Sequence, residues 1–219
     1  MSYKPALLVV DVQEDFSPPN GSLPVPSARS ILDPVNTLLT YPFPLKLATL
    51  DWHPESHISF ASDLSPLRNQ ITYPSVIPAL QITALCSIHC VQDSHGAQML
   101  PGLHAHLLHH VVKKGQDPRV EMYSAFYDPF RLSDSGIAEM LRTQRVTHVF
   151  VVGLAADFCV KASAIDARRE GYETFIVEDG TKPVDPERWP EVRREIEAEG
   201  VRIVGMDSDE VDRVRKLAS

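Results

Sequence analysis

The sequence is short of several features that would point to particular kinds of protein. It has only three cysteines among 219 residues, an odd and small number that does not make the disulfide framework of a secreted domain. Its formal net charge of −8 leaves no excess of basic side chains, which argues against nucleic acid or an anionic membrane as a partner. These deficits favour a reducing, cytoplasmic setting.

Long apolar runs and nucleotide-binding glycines are scarce as well. No window approaches the roughly 18 consecutive apolar residues of a transmembrane helix. The apolar start at 6–10 is cut off by Asp11, which makes it too short for a secretory signal. No Gly-x-Gly-x-x-Gly pattern follows this run, so a Rossmann-type dinucleotide binder is disfavoured. The sequence therefore predicts neither a membrane span nor a dinucleotide site.

Apolar runs that alternate with helical patterns predict an α/β protein. The length suits one full domain, and we expect a single domain over residues 1–219. The strands, separated mostly by amphipathic helices, are predicted at 6–10, 45–50, 109–112, 149–152, 174–177 and 201–204. Such βαβ units imply a parallel sheet. Between about 54 and 103, prolines and polar residues predict a lid-like insertion of loops and short helices.

Chemically active side chains lie where predicted strands end. Asp11 follows the first strand, and Cys159 begins the helix after the central strand, with Asp157 as its predicted N-cap. Because ligand sites of parallel sheets lie outside the carboxyl ends of the strands, the two side chains can converge. A helix N-terminus lowers a thiol pKa, and a nearby carboxylate can accept and return its proton. The structural alternatives are core packing for Cys159 and a cap or turn for Asp11.

The end of the third strand adds a lysine to this group. Lys113 and Lys114 follow one another there, and strand alternation places their side chains on opposite faces. Only one of them can therefore point inward. A lysine between the carboxylate and the thiol would stabilise their charged forms, whereas the structural alternative is a solvated side chain.

A second group of polar residues predicts a metal site. Asp51 and His53 are two positions apart in an extended segment, so their side chains point to the same side. With the more distant His89 they offer one oxygen and two nitrogens to a cation, which leaves positions for water and substrate. His57 is a candidate fourth ligand. The other clustered histidines are interpreted as a solvated face: His104, His106, His109 and His110.

Six motifs are spread along the chain. They are Asp11-x-Gln13-x-Asp15-Phe16, Asp51-Trp52-His53-Pro54-x-x-His57, His89-Cys90-Val91, Lys114-Gly115, Tyr123-Ser124-Ala125-Phe126 and Gly153-Leu154-Ala155-Ala156-Asp157-Phe158-Cys159-Val160. These motifs resemble those of the nicotinamidase family, which belongs to the isochorismatase-like cysteine hydrolases. The resemblance runs from about residue 5 to 205 and keeps the order of the motifs.

The resemblance implies a three-layer α/β/α fold with a six-stranded, mainly parallel sheet, and a metal-dependent amidohydrolase. Asp11, Lys114 and Cys159 would form its catalytic triad, the Lys-Gly dipeptide selecting Lys114. A non-proline cis peptide would join Leu154 to Ala155. It would turn the amides of Ala155 and Cys159 toward one oxyanion position.

The same resemblance implies a cofactor and a substrate. A divalent metal, most often Zn²⁺, would be held by Asp51, His53 and His89. The small-molecule substrate would be nicotinamide, hydrolysed to nicotinate and ammonia through a cysteine thioester in NAD salvage. Phe16 and Tyr123 would flank its ring, and Leu154 would be a third substrate-binding residue. Assembly into a homo-oligomer is left open.

One departure from the family pattern leaves alternatives for the substrate. The family has Trp-Pro shortly before its metal-binding histidine, where this chain has Cys86-Ser87. Loss of the tryptophan removes a large flat contact for a pyridine ring. The alternatives are another amidase of the superfamily, for pyrazinamide-like, carbamoyl or ureido substrates, and a homologue that binds ligand without catalysis.

Overall fold

A computed structural model describes residues 2–60 and 86–217. At its centre lies one sheet made of β1 (Pro5–Val10), β2 (Leu45–Asp51), β3 (His110–Lys114), β4 (His148–Leu154), β5 (Glu173–Lys182) and β6 (Arg202–Val204). The strands pair in the order β3-β2-β1-β4-β5-β6, and every neighbouring pair is parallel. The predicted α/β class and six-stranded parallel sheet are confirmed.

Helices cover both faces of this sheet. The described helices are α1 (Leu32–Thr40), α2 (Ile137–Thr143), α3 (Cys159–Arg169), α4 (Trp189–Ala198) and α5 (Asp209–Arg215). Apolar residues of α2, α3 and α4 share one core cluster with Ala6 and Leu8 of β1. Those of α1 and α5 share a second cluster with Leu7 and Val9. Alternate residues of β1 thus face opposite helix layers, which gives the three-layer α/β/α architecture.

Some boundaries differ from the prediction. β3 runs on to Lys114, so both lysines belong to the strand, and β5 continues as far as Lys182.

Pro34 does not break α1, because the helix begins at Leu32 and the proline falls in its first turn. N–H groups in the first turn have no acceptor within the helix, so the proline, which lacks an N–H, costs the helix no hydrogen bond there.

Asp157 is not the N-cap of α3, contrary to the sequence-based prediction. The helix begins at Cys159 after Phe158, and no side chain caps it. The Asp157 carboxylate instead accepts the main-chain N–H groups of Val184 and Asp185, at 2.9 and 3.0 Å. It therefore joins the turn before α3 to the loop that follows β5.

The lid-like insertion predicted at about 54–103 lies partly outside the described residues, because positions 61–85 are not among them. In its described flanks, an isolated bridge joins Phe60 to Cys86, and another joins Gln13 to Met99. The single domain over 1–219 stays a prediction. Across 2–60 and 86–217, no helix is long and apolar enough to cross a membrane.

Gly153 allows close packing of the two central strands at their carboxyl ends. Its φ of +117° lies in a region that L side chains rarely adopt, and a Cβ atom there would be 2.0 Å from the Val10 carbonyl oxygen. Only glycine therefore fits at this point, just before the turn that leads to Cys159.

We expect Gly153→Ala to destabilise the fold by about 3 kcal/mol or more, because strain at positive φ and a collision with main-chain atoms add together. Gly171→Ala is the matched control, since Gly171 has a φ of +96° but nothing within 4 Å of the added Cβ. Gly171→Ala should lower the free energy of unfolding by only about 1 kcal/mol. Urea unfolding measures both variants, and equal losses would contradict the steric argument.

Candidate active site

Lys114 is a buried cation that brings the predicted catalytic side chains together. Its Nζ lies 2.9 Å from Asp11 Oδ2 and 3.6 Å from Cys159 Sγ. Polar atoms of Asp11, Asp51 and Cys159 lie within 4.8 Å of one another. The structure therefore places Asp11 at the end of β1, Lys114 at the end of β3 and Cys159 at the start of α3 around one point.

The charge of Lys114 is compensated on two sides. In addition to Asp11, its Nζ lies 2.5 Å from Asp51 Oδ1, and it donates a hydrogen bond to the Met122 carbonyl at 2.9 Å. Burial would lower the pKa of Lys114, but the Asp11 and Asp51 carboxylates raise it well above its usual value. Burial would likewise raise the pKa of Asp51, but Lys114 holds it below the usual range. Both groups are therefore charged.

Burial raises the pKa of both Asp11 and Cys159. The pKa of Asp11 reaches about 6 although Lys114 opposes the shift, and the Thr49 hydroxyl donates to its Oδ1 at 2.7 Å. The pKa of the Cys159 thiol is raised well above its ordinary value, with Lys114 again opposing. The pKa of this thiol is therefore raised overall, so the lowered pKa predicted from the helix N-terminus is wrong. The thiol keeps its proton until a neighbouring base accepts it.

The turn between β4 and α3 contains two unused donors. The peptide bond between Leu154 and Ala155 is cis, as the resemblance implies. Among the main-chain hydrogen bonds of the described residues, none uses the N–H of Ala155 or of Cys159. Both amides belong to the turn that carries the Cys159 sulfur, where an oxyanion site needs free N–H groups.

Asp51, His53 and His89 fit a divalent cation. Their candidate ligand atoms lie within 4.8 Å of one another. His53 Nδ1 donates to the Gly115 carbonyl at 2.8 Å and His89 Nδ1 to the Ser87 carbonyl at 2.7 Å, which leaves each Nε2 as an electron-pair donor. His53 Nε2 is buried and has no hydrogen-bond partner among the described residues. A cation would satisfy this atom.

His57, the candidate fourth ligand, has both ring nitrogens engaged. Its Nδ1 lies 2.7 Å from the Ser59 hydroxyl and its Nε2 3.1 Å from the Val120 carbonyl. Burial lowers the pKa of His57 to about 3. Its ring stacks on that of His53 with the centroids 4.0 Å apart. His57 therefore supports His53 in this structure and offers no free nitrogen to a cation.

The three side chains expected to contact the substrate have different surroundings. The Phe16 ring lies 5.6 Å from the His89 ring, beside the candidate metal site. Tyr123 packs against Phe158, and both line a cavity of about 510 Å³ whose described wall contains no residue of the triad or metal group. Leu154 is completely buried in the core. The assignment of Leu154 as a substrate-binding residue stays a prediction.

Two residues near the site were not assigned by sequence reasoning. Thr49, which donates to Asp11, is found by strand alternation, because it lies two positions before Asp51 on the same face of β2. No periodic pattern in the sequence marks Glu121. Its carboxylate comes within 4.8 Å of ring nitrogens of His53 and His57, but it lies in an irregular segment after β3.

Comparison with known proteins gives the class to which this fold and site belong. The family model of the isochorismatase domain matches residues 76–208. The fold and the cysteine-centred site thus define an isochorismatase-like hydrolase.

Individual relatives narrow the class. The nicotinamidase of Escherichia coli (strain K12) is 37% identical over 185 residues, which cover 82% of this chain and 84% of the relative. The yeast nicotinamidase bound to the inhibitor nicotinaldehyde has a TM-score of 0.81 at 32% identity, covering 92% of this chain and 99% of that one. The pyrazinamidase of Pyrococcus horikoshii in complex with zinc has a TM-score of 0.72 at 32% identity, with coverage of 92% and 99%. This chain belongs to the nicotinamidase family.

Lys114→Met should destabilise the fold by about 3–5 kcal/mol, because it leaves two carboxylates buried without their cation. Lys113→Met is the matched control. Lys113 is exposed, and its ammonium lies 3.5 Å from the centre of the Trp52 ring. Its replacement should therefore lower the free energy of unfolding by less than about 1 kcal/mol. Urea unfolding at neutral pH compares the two variants, and similar stabilities would contradict the buried charge pairing.

Proposed function

We propose that this protein hydrolyses nicotinamide to nicotinate and ammonia, within NAD salvage. The observation that carries the proposal is the convergence of Asp11, Lys114 and Cys159 at one buried point. The relatives add support, since the E. coli protein is a nicotinamidase and the yeast nicotinamidase binds nicotinaldehyde, an aldehyde analogue of the amide. These relatives do not favour a carbamoyl or ureido substrate, although this chain has Cys86-Ser87 where the family has Trp-Pro.

Attack on the amide requires a base, because the resting thiol is protonated. Cys159 Sγ forms a bond to the carboxamide carbon while Asp11 accepts the thiol proton. With its pKa near 6, Asp11 is ionised at neutral pH and is a stronger base than an ordinary aspartate. Lys114, in contact with both groups, stabilises the negative charge as it moves between them.

The tetrahedral adduct then loses ammonia. The amides of Ala155 and Cys159 would hold its oxyanion, an effect on the order of 3 kcal/mol per donor. As the C–N bond breaks, Asp11 returns its proton to the departing nitrogen. Water, deprotonated by Asp11, attacks the resulting thioester, which releases nicotinate while the proton restores the Cys159 thiol.

Asp51, His53 and His89 would hold a divalent cation, which we propose to be Zn²⁺. One carboxylate and two imidazoles suit zinc, and the P. horikoshii pyrazinamidase is a zinc complex. When bound, such a cation supplies a Lewis-acid contact for a basic ring nitrogen. Phe16 beside His89 offers a flat apolar surface for the ring.

Cys159→Ala should reduce ammonia release from nicotinamide by about 10³-fold or more, since it removes the sulfur that forms the thioester. Cys90→Ala is the control, because Cys90 is also buried but is absent from the site described above. Near-normal turnover of Cys159→Ala would contradict the nucleophile. Activity on a non-aromatic amide, with none on nicotinamide, would contradict the substrate.

His53→Ala should abolish stoichiometric zinc binding, because it removes one of the three ligands, a buried nitrogen without a hydrogen-bond partner among the described residues. The exposed His106 supplies the control variant His106→Ala, which should keep its metal. Elemental analysis of the purified proteins measures the zinc content. Dialysis against a chelator should also lower wild-type turnover until zinc is restored. Full zinc content in His53→Ala would refute the ligand set.

A further inference from the structure

Gln13 is a completely buried side chain just beyond β1 that has no part in the chemistry above. Its Nε2 donates to the carbonyls of Asp51 and Ala97, at 2.8 and 2.9 Å. Its Oε1 accepts the Asp51 main-chain N–H at 2.8 Å. One carboxamide thus satisfies both main-chain polar groups of Asp51 and ties them to a neighbouring loop.

These hydrogen bonds replace a strand neighbour that β2 lacks at its last residue. The Asp11 N–H still donates to the Thr49 carbonyl at 3.2 Å, as expected for the parallel ladder of β1 and β2. The next bond of that ladder would run from the Asp51 N–H to the Asp11 carbonyl. The chain instead turns at Asp11, whose φ is +49°, and that carbonyl accepts the Gln13 N–H at 2.9 Å.

Asp51 is held from its other side by a true strand neighbour. It pairs with Lys114 of β3, whose carbonyl accepts the Trp52 N–H at 2.9 Å. The main chain of Asp51 therefore lies between a strand and the Gln13 side chain. Removal of the carboxamide would leave a buried N–H and two buried carbonyls without partners, and would free one side of Asp51.

We propose that Gln13 is a positioning residue for Asp51. Its carboxamide holds the main chain at the end of β2 in place of a strand, so that the Asp51 carboxylate stays directed at Lys114 and at the cation. The inference rests on the proposed function, because it takes Asp51 as a metal ligand. Loss of a group that orients a metal ligand typically weakens metal binding by about 10–100-fold.

The test compares Gln13→Met with the matched control Gln92→Met in the full chain. The Gln92 carboxamide donates to the Trp52 carbonyl at 3.1 Å, so the control removes one hydrogen bond from the adjacent residue. Competition with a chromophoric chelator measures the dissociation constant of Zn²⁺. We expect Gln13→Met to raise it by about tenfold or more and Gln92→Met by less than about threefold.

Hydrogen exchange of the metal-free protein gives a second readout. The Asp51 amide should be strongly protected in the wild type, and in Gln13→Met its exchange should accelerate. Gln13→Glu keeps the side-chain volume and the acceptor for this amide, so it should bind zinc with intermediate strength and serves if Gln13→Met does not fold.

Three results would overturn the inference. They are unchanged zinc affinity in a folded Gln13 variant, equal losses in the Gln13 and Gln92 variants, and rapid exchange of the Asp51 amide in the wild type. In these cases wild-type zinc binding and ammonia release would leave the proposed function standing. A wild type that binds no zinc would overturn this inference and the zinc assignment, whereas absence of ammonia release from nicotinamide would overturn the proposed hydrolysis.

Discussion

A buried ammonium group between two carboxylates is the interaction on which the rest of the site depends. An ion inside a protein needs opposite charge close by, and Lys114 finds it on Asp11 and Asp51 at 2.9 and 2.5 Å. One ammonium cannot neutralise both carboxylates. This imbalance is consistent with the elevated pKa of Asp11, to which burial contributes most, and with a position for a second cation next to Asp51. Catalysis and metal binding therefore share one set of charges.

The centre of the sheet could be predicted because the strands β1, β2 and β4 are buried on both faces. Apolar runs mark β1 and β4, and the polar residues that follow β1 and end β2 lie at the site edge of the sheet. Asp11 and Asp51 are thus located by their position at the strand ends. The choice between Lys113 and Lys114 needed the motif, since alternation alone says only that their directions differ.

What local spacing could not supply is the environment that distant segments create. The helix N-terminus at Cys159 is a local feature, but the sheet and loops that bury its thiol are not, and burial decides the direction of the pKa shift. Asp157 resembles a cap in sequence, yet its partners lie 27 and 28 positions away. Gln13 reaches Asp51 across 38 positions, and no periodic pattern marks such a contact.

The strand order has a consequence for how the protein acquires activity. Asp11, Asp51, Lys114 and Cys159 follow or end four adjacent parallel strands, and these strands are joined only through long crossover connections. Sheets built from such non-local pairings form slowly, because loop closure precedes the gain from strand contacts. No smaller unit of the chain contains the complete set of reacting groups. Recovery of turnover during refolding would thus report completion of the four-stranded centre of the sheet and not the formation of any single helix.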